Sequence, residues 1–264
     1  MTEAAIGLAA ERAIVTMESS DLEAALNLIK TPHGPERLRV AIRAVGDAGA
    51  KKIASMLQRH RHPPIEGSAA AVAAEEPPIK RPVLRVLELW ATSIEAAGIE
   101  DLVAALMSDA CTLEKLDLNW NPGIGDAGCA HFGTGLRTGT MRLRCLCLAG
   151  CDVGDIGCEA IFTALGSGSA NHLSELVLSG NRISSVGAAA IGAALSSPAN
   201  HLVKLDLKVN PLGDAGAQSI FSACHKSEHC KITSLDLEQT GLGPEAATSL
   251  GAALRSENCR LVYL

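Results

Sequence analysis

Between Leu202 and Leu212 the apolar residues fall at Leu202, Leu205, Leu207 and Leu212, with Asn210 as the one polar fixture, a spacing written L-x-x-L-x-L-x-x-N-x-L. The same spacing starts at Leu84, Leu113, Leu143, Leu173 and Ile232, and a seventh copy opens at Leu261 and runs to Leu264. Successive starts are 29 or 30 residues apart. A fixed period of this size predicts a solenoid, in which each unit packs on its two neighbours. Within each unit the two close leucines, such as Leu205 and Leu207, alternate with polar residues, which is the period of a short strand. Strands that recur in one direction form a parallel sheet, and the roughly 20 residues between them suffice for a right-handed crossover helix. Apolar residues at Leu102 and Leu106, Phe132 and Leu136, Ile161 and Leu165, Ile191 and Leu195, Ile220 and Cys224, Leu250 and Leu254 mark the inward stripe of each helix.

The polar positions of the period have predicted tasks too. Asn121, Asn181 and Asn210 stand just past a strand, where the side chain is expected to bond backbone groups of its own and the next turn. Cys151, Thr92 and Thr240 take that place in the other units. Asp126, Asp155, Ser185 and Asp214 open the helices and are read as their N-caps. Gly98, Gly128, Gly157, Gly187, Gly216 and Ala246 are small, which predicts a close approach of helix to strand.

The spacing, with Asn and Cys exchanging at one site, resembles leucine-rich repeats of the ribonuclease-inhibitor type. The resemblance covers residues 84–264. It implies an α/β solenoid, a curved right-handed array with the parallel sheet on the concave face and helices on the convex face. Helices about 10 Å wide stacked against strands about 4.8 Å apart would bend the array the same way. It also implies a non-enzymatic protein-interaction module or scaffold, a subunit of a larger intracellular assembly that binds a protein through the concave face. The alternative is a GTPase regulator, because the chain also resembles the repeat domain of Ran GTPase-activating protein.

Outside the regular repeats, residues 1–34 are read as an N-terminal helical cap or tail, with Ser20 and Asp21 capping a helix through Leu22, Ala25, Leu26 and Ile29. Residues 35–83 are read as a degenerate first repeat. There Val45-Gly-Asp-Ala-Gly-Ala50 matches Leu212-Gly-Asp-Ala-Gly-Ala217, and Arg43 stands where Asn210 stands. A mobile Pro- and Ala-rich insertion is expected at 58–82. Residues 84–264 are six repeats plus the first strand of a seventh. No helix follows that strand, so association through an uncapped C-terminal end is expected.

Composition narrows the function. Apolar residues make up 47% and aromatics only 2%, so aliphatic side chains must fill the core. The formal charge is -6 without a long basic run, which argues against a nucleic-acid partner. No segment reaches the ~20 apolar residues of a membrane span, and Met1 to Met17 lacks the marks of a secretory signal. An intracellular, cytoplasmic location is the expectation, and nine cysteines without a regular framework agree with a reducing compartment.

No cofactor or metal is expected. Cys145 and Cys147 face the concavity and Cys151 faces inward, so four converging ligands are lacking. Cys230 and Cys259, at equivalent positions, are expected near disulfide distance but reduced. His172 and His201 are read as solvated loop residues. No nucleophile motif or phosphate-binding glycine loop is present.

The concave face is the remaining candidate. Alternation gives it Glu88, Asp117, Cys147, Val177, Asp206 and Asp236 in one row, and Trp90, Asn119, Ala149, Ser179, Lys208 and Glu238 in the next, with Trp120 beside them. The protein-binding residues expected are Glu88, Trp90, Asp117, Asn119, Trp120, Asp206, Lys208, Asp236 and Glu238. Tryptophan buries a large rigid surface and keeps one donor, which suits an interface anchor.

Overall fold

The computed structural model describes residues 14–17, 22, 26–27, 36–40, 45–59, 84–168 and 171–264. Among the described residues, eight parallel strands lie in chain order in a single sheet, the outcome expected when each unit packs only on the next. They are β1 (Ile14–Met17), β2 (Arg37–Val40), β3 (Val86–Glu88), β4 (Lys115–Asp117), β5 (Cys145–Cys147), β6 (Glu175–Val177), β7 (Lys204–Asp206) and β8 (Ser234–Asp236). The helices that alternate with them are α1 (Gly46–Arg59), α2 (Ala96–Leu106), α3 (Gly125–Thr138), α4 (Asp155–Gly166), α5 (Ser185–Leu195), α6 (Gly213–Lys226) and α7 (Pro244–Leu254). Among the described residues helices cover one side only, and the molecule is an α/β solenoid with its sheet on the concave face.

The leucines of the period set the core. Leu87, Leu116, Leu146, Leu176, Leu205 and Leu235 pair across the strands in register and are buried. The predicted helix stripe meets them, with Leu102, Phe132, Ile161, Ile191 and Ile220 at 1% exposure or less. The final unit is looser: in α7 only Ala246 and Ala253 are buried, and Leu254 is exposed. The seventh copy continues the sheet as far as one bridge, Ser234 with Tyr263.

β1 falls inside residues 1–34 and pairs with β2 in parallel, Ile14 beside Arg37. Leu22, Leu26 and Asn27 are helical, and Leu26 belongs to the core. The N-terminal stretch therefore supplies a strand as well as a helix. Gln58 and Arg59 close α1, whereas the remainder of the expected insertion, and Arg43, lie outside the described residues.

Two polar ladders hold the turns, and both run differently from the sequence expectation. Asn181 Oδ1 accepts from the N–H groups of Cys151 and Val153 at 3.0 Å each, and its Nδ2 donates to Leu148 O at 2.8 Å and Leu178 O at 2.9 Å. The side chain thus joins its own turn to the preceding one, not the next. Asn121 does the same for Thr92, Ile94 and Leu89, and Asn210 for Ile183 and Leu178. Cys151 keeps one strand of this pattern, donating to Leu118 O of the preceding unit at 3.2 Å.

The second ladder is made by the aspartates. Asp126, Asp155 and Asp214 lie in the first turn of their helices but cap the following one. Asp126 Oδ1 accepts from Gly154 N at 2.6 Å and Gly157 N at 3.0 Å, and Asp214 Oδ1 from Gly243 N at 2.6 Å and Ala246 N at 3.1 Å. Asp155 takes the N–H groups of Ser184 and Gly187 and the Ser184 hydroxyl. Ser184, not Ser185, is the cap residue of α5, with its hydroxyl accepting from Val186 N.

This ladder explains two of the small residues. A Cβ on Gly157 would meet Asp126 Oδ1 at 2.7 Å, and one on Gly187 would meet Asp155 Oδ1 at 2.7 Å. At these two positions glycine makes room for the preceding unit's carboxylate, rather than for the strand.

Candidate binding surface

Strand pairing assembles the first predicted row: Glu88, Asp117, Cys147, Val177, Asp206 and Asp236 are neighbours in strict register across β3 to β8. Arg39 of β2 extends it. Glu88 is buried and ion-paired to Arg39, Nε to Oε2 at 2.5 Å, so its charge is already answered within the chain. Asp117, Asp206 and Asp236 share another geometry. Each accepts the N–H two residues on, from Asn119, Lys208 and Glu238, at 3.1, 3.0 and 3.1 Å through Oδ1. Burial raises the pKa of Asp117, although the Asn119 N–H and nearby Lys115 oppose it.

The next row holds Trp90, Asn119, Lys208 and Glu238 just beyond the strands. Asn119 is partly committed to structure, its Oδ1 accepting from Ala149 N at 2.7 Å. Lys208 Nζ lies 3.4 Å from Asp236 Oδ2. Trp90 is 53% exposed, and Trp120 57%. Trp120 leans onto the following unit: a Cβ on Gly150 would sit 2.8 Å from its Cε3.

In the middle of the face, Cys145 and Cys147 bring their sulfurs to 3.8 Å. The hydrogen bond between the thiols lowers the pKa of Cys145; the same contact, with burial, raises that of Cys147. All nine cysteines are free, and Cys230 finds Cys224 at 3.6 Å between sulfurs. Among the described residues no group of three or more His, Cys, Asp or Glu side chains converges as metal donors, and no helix is long and apolar enough to cross a membrane.

Sequence reasoning missed the turn that follows each strand. Ala91, Trp120, Gly150, Gly180, Val209 and Gln239 occupy equivalent positions, and all have φ between +52° and +65°. The N–H groups of Ala91, Trp120, Gly150, Gly180 and Val209 donate to a carbonyl of the next unit, as Trp120 N does to Ala149 O at 2.7 Å and Val209 N to Glu238 O at 2.9 Å. In these five turns the cross-unit bond accompanies the left-handed backbone whatever the side chain. Glycine takes that backbone without strain, but a β-branched residue there is an outlier costing about 1–3 kcal/mol. Glycine at Gly150 and Gly180 in the same register was the available signal.

The Leucine Rich repeat family matches residues 109–132, 142–162, 169–192 and 199–221. Ribonuclease inhibitor of Sus scrofa is 28% identical over 182 residues, covering 69% of this chain and 35% of that protein. NACHT, LRR and PYD domains-containing protein 12 of Mus musculus is 33% identical over 181 residues, covering 69% of this chain and 17% of that protein. The chain thus spans well under half the length of these curated relatives. Among solved structures, Leiomodin-1 Actin-Binding Site 2 is similar at 17% identity and a TM-score of 0.43, over 60% of this chain and 88% of that one.

Proposed function

The chain is a leucine-rich repeat protein of the ribonuclease-inhibitor-like type, and on that premise we propose that it is a non-enzymatic module that binds a protein through its concave face. The observation that carries this reading is the pair of exposed tryptophans, Trp90 and Trp120, on the sheet side of an array whose core is closed without them. Aromatics are 2% of the sequence, so placing both tryptophans in solvent leaves scarce contact area outside the fold. Indole surface of this kind is worth most when a partner covers it. The carboxylate of Asp117 beside them, and those of Asp206, Asp236 and Glu238 further along the same face, set orientation and partner choice more than affinity. A scaffold role in an intracellular assembly fits such a surface, since a solenoid offers a long face and no enclosed chamber.

The test is affinity capture with the wild-type chain, followed by recapture of the identified partners. Trp90→Ala on the concave side is compared with Glu159→Ala on the exposed face of α4. A partner lost with the first and kept with the second supports the proposal. One lost only with the second places binding on the convex helices and defeats it.

A further inference from the structure

We infer that Trp120, Gly180 and Val209 form an anchor slot on the rim of the concave face, which takes one bulky apolar side chain from a protein segment that also carries a basic residue. The inference rests on the interaction reading above and names the chemistry of the partner.

It starts from a cost that the fold does not recover. Val209 is β-branched, sits at φ +53°, and is 51% exposed. Its side chain therefore gains little packing in return for a backbone conformation that β-branched residues resist. Gly180, one unit earlier, makes the same turn with the same cross-unit hydrogen bond and no such strain. Nothing in the turn itself calls for valine. Trp120 repeats the argument two units before Gly180: a large side chain at φ +62°, with 57% of its surface in solvent.

The space between them is open. Trp120 covers Gly150, but a Cβ on Gly180 would meet only Gly150 N, at 3.8 Å. From Gly150 to Val209 is two strand spacings, about 10 Å. That width admits a single side chain between indole and valine. A whole helix, about 10–12 Å across, would not enter. The floor is glycine backbone and the walls are apolar, so the guest side chain must be apolar.

Charge supplies the second half of the description. Beside the slot Asp206, Asp236 and Glu238 face one ammonium, that of Lys208, which already lies near Asp236. The surplus is negative, and a Lys or Arg next to the apolar anchor in the partner would complement it.

The experiment pans a random-peptide library on the wild-type chain and measures the affinity of the consensus peptide for the wild type, Gly180→Asn and Val209→Gly. Asparagine tolerates the left-handed backbone, so Gly180→Asn fills the slot while keeping the turn. The expected consensus is an apolar residue with Lys or Arg beside it, and its binding falls about tenfold or more with either substitution. The urea midpoint should hold for Gly180→Asn, and hold or rise for Val209→Gly. A library without that consensus, undiminished binding to Gly180→Asn, or a lowered midpoint for Val209→Gly would each overturn the slot. Peptides that ignore Gly180→Asn but are lost with Trp90→Ala sink the slot alone. Peptides that ignore every concave-face substitution count against the interaction reading as well.

Discussion

The turn after each strand has two sides, and they obey different rules. On the inner side stand Asn121, Asn181 and Asn210, buried, with amide oxygen and nitrogen both bonded to backbone of two units. On the outer side stand Trp120 and Val209, exposed and held in a left-handed backbone that glycine fits better. The inner side is what the fold requires: buried polar groups must be satisfied, and the asparagines satisfy them. The outer side serves the fold poorly and offers contact area to something else. Residues that cost nothing to explain from within the chain are structural; those that the chain alone cannot explain are the functional candidates.

The sharpest way to break this comparison is Asn181→Leu. It leaves the N–H groups of Cys151 and Val153 and the carbonyls of Leu148 and Leu178 without the bonds Asn181 makes, at on the order of 1–3 kcal/mol for a buried group left unpaired. The urea midpoint should drop markedly, and an unchanged midpoint would remove the asparagine from the inner frame. Next is Trp90→Ala, which should weaken partner binding by about 2 kcal/mol and barely move the midpoint. Normal binding with early melting would assign Trp90 to the structural side.

Asp155→Ala, removing the cap lent to the following helix, should cost roughly 0.5–2 kcal/mol. Its carboxylate also gives a pH signature. Burial works against its charge, but the bonds from the Ser184 hydroxyl, Ser184 N–H and Gly187 N–H outweigh it and lower its pKa. A lowered pKa in the folded chain means that the contribution is complete above the unfolded value, about 3.9, and is lost as pH falls through the folded one. Denaturation midpoints followed from neutral to acid should therefore converge for wild type and Asp155→Ala; parallel curves would show that the ladder is not carried by the charge. The smallest effect is expected of Lys208→Ala, a half-buried partner of Asp236 at the solvent boundary, which should leave the midpoint unchanged and alter capture of the partner little.

The repeat was legible because its signal is redundant: six copies of one spacing place Leu205, Leu207 and Ile220 on the core without any knowledge of their neighbours. The N-terminal strand was not, because Ile14–Met17 precedes Arg37–Val40 by an irregular step and carries none of the following asparagine turn. The rows of the concave face were readable from alternation, Asp117 beside Cys147 and Asp206 beside Asp236, since strand parity fixes which side a residue takes.

The sequence by itself therefore determined the parallel solenoid, its inward leucines and the residues that share a face, all of which follow from period and parity. Only the tertiary structure decided direction and conformation. That Asn181 reaches back, that Asp126 caps the helix after its own, and that Gly157 yields to that carboxylate depend on how one unit is offset against the next. That Glu88 spends its charge on Arg39, and that Val209 bears a positive φ in solvent, depend on bonds formed only once the units are stacked. A one-dimensional pattern records which residues recur, but not which neighbour each of them bonds, because both neighbours stand at the same distance along the chain.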